Sequence, residues 1–205
     1  MHLILFFNGW GMTEKIINHI SSHDDLDVHC INYPYDIENI DFSKYRRIYV
    51  IGWSFGVYHA SQFLLKNKNL NCTSIAINGV PYVIGEYGIS LKMFQFTLKT
   101  LSLENLKKFY LNMGLSLKYF DKSVNLDILK EELEFILNNP ITNHHSFDYV
   151  FLGKLDRIIP YSKQLKFYKK EVSKIITLQC NHYAFKSFKN WRDIIGKENE
   201  FWKTI

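Results

Sequence analysis

Cysteine is scarce in this chain. Its three cysteines, Cys30, Cys72 and Cys180, are odd in number and form no C-x-x-C, which excludes a disulfide framework or a structural zinc site. No apolar run approaches the ~20 residues that cross a bilayer, so no membrane association is expected. Residues 1–7 are apolar, but they lack a basic leader, are too short for a signal peptide and run straight into Asn8-Gly9-Trp10-Gly11; they read as a buried strand. Nothing suggests export, and the expected location is the cytoplasm. A large excess of charge of either sign is also lacking. The 25 Lys and Arg exceed the 20 Asp and Glu by only five, with no basic stripe or nucleic-acid motif. No nucleic-acid partner is expected, whereas an acidic protein partner is compatible with that balance. None of the eight histidines has the i, i+4 spacing with Glu that marks a metalloprotease, and His144 and His145 are adjacent and point in different directions. No metal and no cofactor is expected. Repeats, low-complexity segments and Pro/Gly-rich linkers are absent, so the 205 residues read as one domain; a monomer is expected.

What is present is aromatic: 16 Phe and 13 Tyr supply much of the apolar area that a core needs. Short apolar strands are predicted at 3–7, 26–33, 47–51, 73–77, 148–152 and 175–178, and helices at 13–20, 55–67 and 161–170. The strand signal disappears between 81 and 140, where helices are read over 103–113 and 126–137. Alternating buried strands and helices imply a mostly parallel sheet covered on both faces, with 81–140 as an inserted helical cap over one end.

Gly52-Trp53-Ser54-Phe55-Gly56 fits G-x-S-x-G. The pentapeptide alone is common. Here it follows an apolar strand and opens a helix, the context of a nucleophile elbow, and the fold class is therefore read as an α/β-hydrolase. An incidental serine in a glycine-rich turn is the less favoured reading. In this fold the acid and the histidine follow the serine in that order. Asp156 lies in a loop after a buried strand; a helix-capping role is its ordinary alternative. Asp148 is its rival but falls at the wrong end of the strand. Among the histidines only His182 follows Asp156, and His59, inside the elbow helix, is read as structural. Ser54, His182 and Asp156 would then serve as nucleophile, base and orienting acid. The oxyanion would be held by the backbone N–H groups of Phe55, which follows the nucleophile, and of Trp10, in the loop after the first strand. Cys180 resembles no elbow. On residues alone the reading stops at an ester or related acyl hydrolase.

Phe6-Phe7-Asn8-Gly9-Trp10-Gly11, the elbow, Ala76-Ile77-Asn78-Gly79-Val80-Pro81, Gly153-Lys154-Leu155-Asp156 and Asn181-His182-Tyr183-Ala184-Phe185 together resemble the BioG-type esterases of biotin synthesis. Gly88-Ile89, Phe94 and residues 103–109 are similar to their cap. BioH-type esterases begin with His-Gly-Trp-Gly in the corresponding loop; Asn8 in place of that histidine, and a start directly at the first strand, favour the BioG type. The resemblance spans nearly the whole chain. It implies hydrolysis of the methyl ester of pimeloyl-acyl carrier protein to pimeloyl-acyl carrier protein and methanol, with an acyl carrier protein bearing a methyl-pimeloyl group as partner. A seven-carbon acyl chain needs a slot, expected among Met93, Phe94, Phe96, Leu98, Phe109 and Met113 in the cap, although most of these would simply bury its helices. An acidic carrier needs a basic surface. Six lysines against three acids leave +3 over 81–125, and Lys107 and Lys108, with Lys92 and Lys99, are the expected docking residues; solvated helix lysines are the ordinary alternative. Residues 81–140 contain no arginine, a departure from what an acidic partner would favour. Two other classes stay open: a hydrolase of small esters or lipids with the same triad, and a non-catalytic hydrolase-like binding module.

Overall fold

A computed structural model describes residues 1–37 and 40–196. Six strands, β1 (His2–Phe7), β2 (Leu26–Ile31), β3 (Arg47–Trp53), β4 (Cys72–Ile77), β5 (Tyr149–Gly153) and β6 (Lys174–Leu178), form one parallel sheet in the order β2-β1-β3-β4-β5-β6. Register aligns Phe7 with Gly52, Trp53 with Ile77, Ile77 with Phe151 and Gly153 with Leu178. The carboxyl ends therefore share one edge.

Side chains alternate across a strand, and both faces are buried. Leu3, Leu5, Phe7, Val50 and Val150 pack against α1 (Gly56–Lys66) and α5 (Tyr161–Tyr168) through Val57, Ala60, Leu64, Phe167 and Tyr168. Ile4, Phe6, Ile51, Trp53 and Phe151 face the other way, toward Phe185, Trp191 and α6 (Arg192–Ile195). The same second cluster takes in the buried stripes of three helices that fill the chain between β4 and β5: α2 (Leu91–Lys99), α3 (Leu103–Asn112) and α4 (Leu126–Asn138). Each starts at a residue whose side chain accepts a backbone N–H, namely Ser90 from Met93, Ser102 from Asn105 and Asn125 from Asp127. The spacing of Leu129, Leu133 and Ile136 puts one stripe of α4 into the core.

The helix expected over 13–20 does not form. Only a 3₁₀ turn, Glu14–Ile16, is present. Thr13 makes no capping bond, and the Ile16 carbonyl, which an α-helix would give to the N–H of residue 20, instead accepts the Tyr183 hydroxyl at 2.6 Å. The Ile20 N–H turns to Ile17 at 2.9 Å. A tertiary hydrogen bond overrides the local pattern. No helix among the described residues is long and apolar enough to cross a membrane.

Candidate active site

Ser54 sits between the end of β3 and the start of α1 with φ +55°, a left-handed conformation that costs a non-glycine residue about 1–3 kcal/mol. The turn is held on both sides: the Ser54 N–H donates to the Ile77 carbonyl and the Val57 N–H to that of Ser54, each at 3.1 Å. So tight a turn leaves no room for side chains beside it. A Cβ on Gly52 would lie 2.7 Å from the Gly56 carbonyl oxygen, and one on Gly56 would collide with the Phe7 backbone. The strand–helix crossing thus requires both glycines and lifts Ser54 onto the carboxyl edge of the sheet.

His182 follows β6 and is fully buried. Its Nδ1 lies 2.8 Å from Asp156 Oδ2 and its Nε2 lies 2.8 Å from Ser54 Oγ. A carboxylate only accepts, so Nδ1 carries the proton and Nε2 accepts from the serine hydroxyl. Asp156 receives three further donors. The Ile158 and Ile159 N–H groups reach Oδ1 at 2.8 and 3.0 Å, and Gln164 Nε2 reaches Oδ2 at 3.0 Å. Asp156 thus caps the following turn with one oxygen and orients His182 with the other. Its rival Asp148 precedes β5 at the opposite edge, where it binds the Ser74 N–H and hydroxyl at 2.7 and 2.8 Å. Burial pushes the Cys180 thiol up to about 11, so it stays protonated at neutral pH.

Three positioning residues escaped sequence reasoning. Trp53 Nε1 and Asn78 Nδ2 both donate to the His182 carbonyl, at 3.0 and 2.8 Å, and the Gly153 N–H donates to Asn78 Oδ1 at 2.6 Å. Asn78, with φ +41°, therefore ties the ends of β4 and β5 to the histidine loop; in the sequence it stands only within a stretch that resembles the BioG type, with no role of its own. Gln164 carried a usable signal, being a polar residue on the buried stripe of α5 with Phe167 and Tyr168.

The loop after β1 turns tightly, with the Met12 N–H on the Gly9 carbonyl at 3.2 Å. Trp10 Nε1 donates to the Leu129 carbonyl in α4 at 2.9 Å. Among the described residues, the backbone N–H groups of Trp10 and Phe55 donate to no protein acceptor.

A groove of about 350 Å³ lies between α2 and α3. Trp10, Met93, Phe96, Leu106, Phe109 and Ile158 form its apolar lining, with Lys108 and Arg157 among its polar residues. Of the expected slot residues, Met93, Phe96 and Phe109 line it. Phe94, Leu98 and Met113 do not: Phe94 and Met113 are buried in the core and Leu98 packs partly against it. Met93 with Phe96, and Phe94 with Leu98, occupy two faces of α2, and the second is the core face. Phe94 stacks on Phe55 at 6.0 Å. The groove reaches Trp10 and the neighbours of Asp156, and Ser54 itself is 5% exposed. A larger cavity, about 550 Å³ between α1 and the end of α4, includes none of the three residues.

The expected lysines differ in their surroundings. Lys92, Lys99 and Lys108 are exposed. Lys108 pairs with Glu104 at 2.9 Å, while the Lys107 ammonium covers the Phe120 ring at 5.5 Å. Neighbours on a helix diverge. Arg157, which follows Asp156, brings to the groove the arginine that residues 81–140 lack.

A model of the family described as Pimeloyl-ACP methyl esterase BioG matches residues 1–194. Among curated proteins, the chain is 33% identical over 199 residues to a malonyl-[acyl-carrier protein] O-methyltransferase of Bacteroides fragilis, covering 91% of this chain and 40% of that protein. It is 34% identical over 110 residues to an uncharacterized protein of Haemophilus influenzae, covering 53% and 50%. The chain matches between two fifths and half of the length of these relatives. The crystal structure of BioG from Haemophilus influenzae superposes with a TM-score of 0.82 at 23% identity, over 94% of each chain. A lipase-esterase related protein from Clostridium acetobutylicum gives 0.63 at 18% identity, over 96% and 93%. The RedJ thioesterase of Streptomyces coelicolor gives 0.61 at 13%, over 97% and 89%. These likenesses establish the α/β-hydrolase fold.

Proposed function

Because the chain belongs to the pimeloyl-ACP methyl esterase BioG family, we propose that it hydrolyses the methyl ester of pimeloyl-acyl carrier protein, with Ser54 as nucleophile. The observation that carries this reading is the unbroken hydrogen-bonded chain Ser54–His182–Asp156, 2.8 Å at each link, with the serine on a left-handed elbow. The Ser54 oxygen attacks the ester carbonyl as His182 Nε2 takes its proton. The tetrahedral oxyanion is met by the N–H groups of Trp10 and Phe55, each such donor contributing on the order of 10²–10³ in rate. His182 then gives the proton to the departing methoxide, which leaves as methanol. Water, deprotonated by the same histidine, attacks the acyl-serine, and the free carboxylate is released. Asp156 holds the tautomer and offsets the imidazolium charge.

The groove supports an acyl chain laid along Met93, Phe96 and Phe109 toward Trp10. Lys108 and Arg157 at the groove, with the exposed Lys92 and Lys99, would meet the acidic carrier; Arg157 joins the expected lysines, and Lys107, over the Phe120 ring, is the least favoured of them. An enzyme acting on a biosynthetic carrier fits a cytoplasmic location. The test is hydrolysis of methyl pimeloyl-acyl carrier protein against free methyl pimelate and a p-nitrophenyl ester. A clear preference in kcat/KM for the carrier-bound ester is expected. Equal rates on all three would favour a small-ester hydrolase.

A further inference from the structure

A second carboxylate–histidine pair lies buried beneath α4, and the reaction above does not use it. Glu132 is 2% exposed and sits on the buried stripe of α4 beside Leu133. Its Oε1 lies 3.0 Å from the Tyr35 hydroxyl and 3.9 Å from His59 Nε2. The Tyr35 hydroxyl in turn lies 2.8 Å from the Asn8 carbonyl oxygen. The Tyr35 ring stacks on His59 at 3.7 Å, and Phe135 lies nearly parallel to His59 at 6.1 Å.

Counting protons narrows the state of this cluster. The tyrosine has one hydroxyl proton and the Asn8 carbonyl has none. Both short contacts of the Tyr35 oxygen are full two-centre hydrogen bonds only if the Glu132 carboxyl carries a proton; otherwise one hydroxyl proton is shared between two acceptors. With the carboxyl proton in place, Tyr35 donates to Asn8, and Glu132 donates to Tyr35. Burial acts in the same direction, pushing Glu132 up to about 8 and His59 down to about 3. The 3.9 Å gap to His59 leaves no hydrogen bond between the two, and burial favours the neutral form of each. The other groups facing the pair do not charge near neutrality. Burial holds Tyr35 well above its ordinary range, raises Tyr58, and pushes Tyr33 and Cys30 up to about 12. Glu131 is exposed and accepts the Tyr33 hydroxyl at 3.0 Å.

Asn8 opens the loop that carries Trp10, and α4 grips this loop twice, through Tyr35 at the Asn8 carbonyl and through the Trp10 indole at the Leu129 carbonyl. We propose that Glu132 is a positioning residue: as an uncharged hydrogen-bond donor it holds Tyr35 on the Asn8 carbonyl, and so aims the Trp10 N–H at the oxyanion. This rests on the ester-hydrolase reading of Ser54. When Glu132 loses its proton, the carboxylate claims the Tyr35 hydrogen, the Asn8 carbonyl loses its donor, and of the two grips from α4 the indole tether remains.

The test uses the whole chain and its Glu132→Gln and Tyr35→Phe variants, with a p-nitrophenyl ester as substrate probe and ¹⁵N NMR of the Gly9 and Trp10 amides. In the unaltered protein kcat should fall, and both amide resonances should move, with a midpoint of about 8. Glu132→Gln, whose amide still donates to Tyr35, should keep kcat at pH 7 within about three-fold and abolish both alkaline changes. Tyr35→Phe should lower kcat roughly ten-fold or more with KM little altered. An alkaline fall that persists in Glu132→Gln, or a Tyr35→Phe variant with unchanged kcat, overturns the positioning role. If the unaltered protein turns over no ester, the reading of Ser54 fails and the positioning role falls with it. The amide midpoint then still reports whether Glu132 is linked to the loop, so the two failures are told apart.

Discussion

Two buried carboxylate–histidine pairs stand in this molecule, and they have opposite fates. At the sheet edge, Asp156 receives two backbone N–H groups and the Gln164 amide, and it sits 2.8 Å from His182. Beneath α4, Glu132 has one hydrogen-bonding partner among the described residues, Tyr35, and lies 3.9 Å from His59. Burial alone penalises charge on both members of a pair. Preplaced donors leave a carboxyl group aimed at the imidazole it orients; with few of them, burial raises the acid, as at Glu132, and favours the protonated form that the proposal uses as a donor. In the proposed reaction the element supplying the donors is what separates the pair that is used from the structural one, and sequence spacing of Asp, Glu and His does not reveal it.

The comparison breaks most sharply at the nucleophile. Ser54→Ala or His182→Ala should reduce ester turnover at least ~10³-fold, because the members act as a unit, whereas His59→Gln should change kcat by less than about three-fold. Steady-state kinetics on folded variants, checked by circular dichroism, decides this; comparable losses at His59 and His182 would erase the distinction.

Stability against pH sharpens it next. The Glu132 pKa in the folded protein is raised from 4.5 to about 8, so its contribution to stability is fully present below about pH 4.5 and is lost as pH rises toward 8. Glu132→Gln has no such loss. Relative to the unaltered protein it should gain roughly 3 kcal/mol between pH 5 and pH 7.5, at about 1.4 kcal/mol per pH unit. Urea unfolding at the two pH values measures this, and a pH-independent difference would mean that Glu132 is ionised in the fold.

A smaller effect is expected where one donor is removed from the working pair. Gln164→Leu leaves Asp156 its backbone donors and should lower kcat about ten-fold with KM nearly unchanged. The smallest effect belongs to the groove. Reversing Lys108 and Arg157 to Glu should raise KM for carrier-bound ester several-fold, reduce its salt sensitivity and leave p-nitrophenyl ester turnover alone. Equal loss on both substrates would point to a damaged groove instead.

The elbow was legible because all of its signal is local: an apolar strand, G-x-S-x-G and a helix stand within twenty residues. Asp156 and His182 followed from chain order, and strand limits fell within a residue or two wherever apolar runs were short and bounded, as at 73–77 against Cys72–Ile77. What stayed hidden depends on contacts between distant segments. Residues 13–20 have a helical pattern, yet Tyr183, more than a hundred and fifty positions away, takes the carbonyl that the helix needs. Asn78 and Gln164 acquire their roles only when β4, β5 and α5 converge on the histidine loop. Half of the expected slot residues, Phe94, Leu98 and Met113, pack toward the core rather than the groove, since a helix that is apolar on two sides does not announce which one meets the core. Arg157 was overlooked for the same reason: the sequence assigns it to a loop, and only folding carries that loop to the groove.

The most direct measurement is the rate at which a fluorophosphonate modifies the protein, followed by intact mass and peptide mapping for the unaltered chain, Asp156→Asn and Glu132→Gln at pH 7. A single adduct on Ser54 is expected, slowed at least ~10²-fold by Asp156→Asn and left within about three-fold by Glu132→Gln. An adduct on another residue, or labelling of Asp156→Asn as fast as that of the unaltered protein, would contradict the assignment of the working pair.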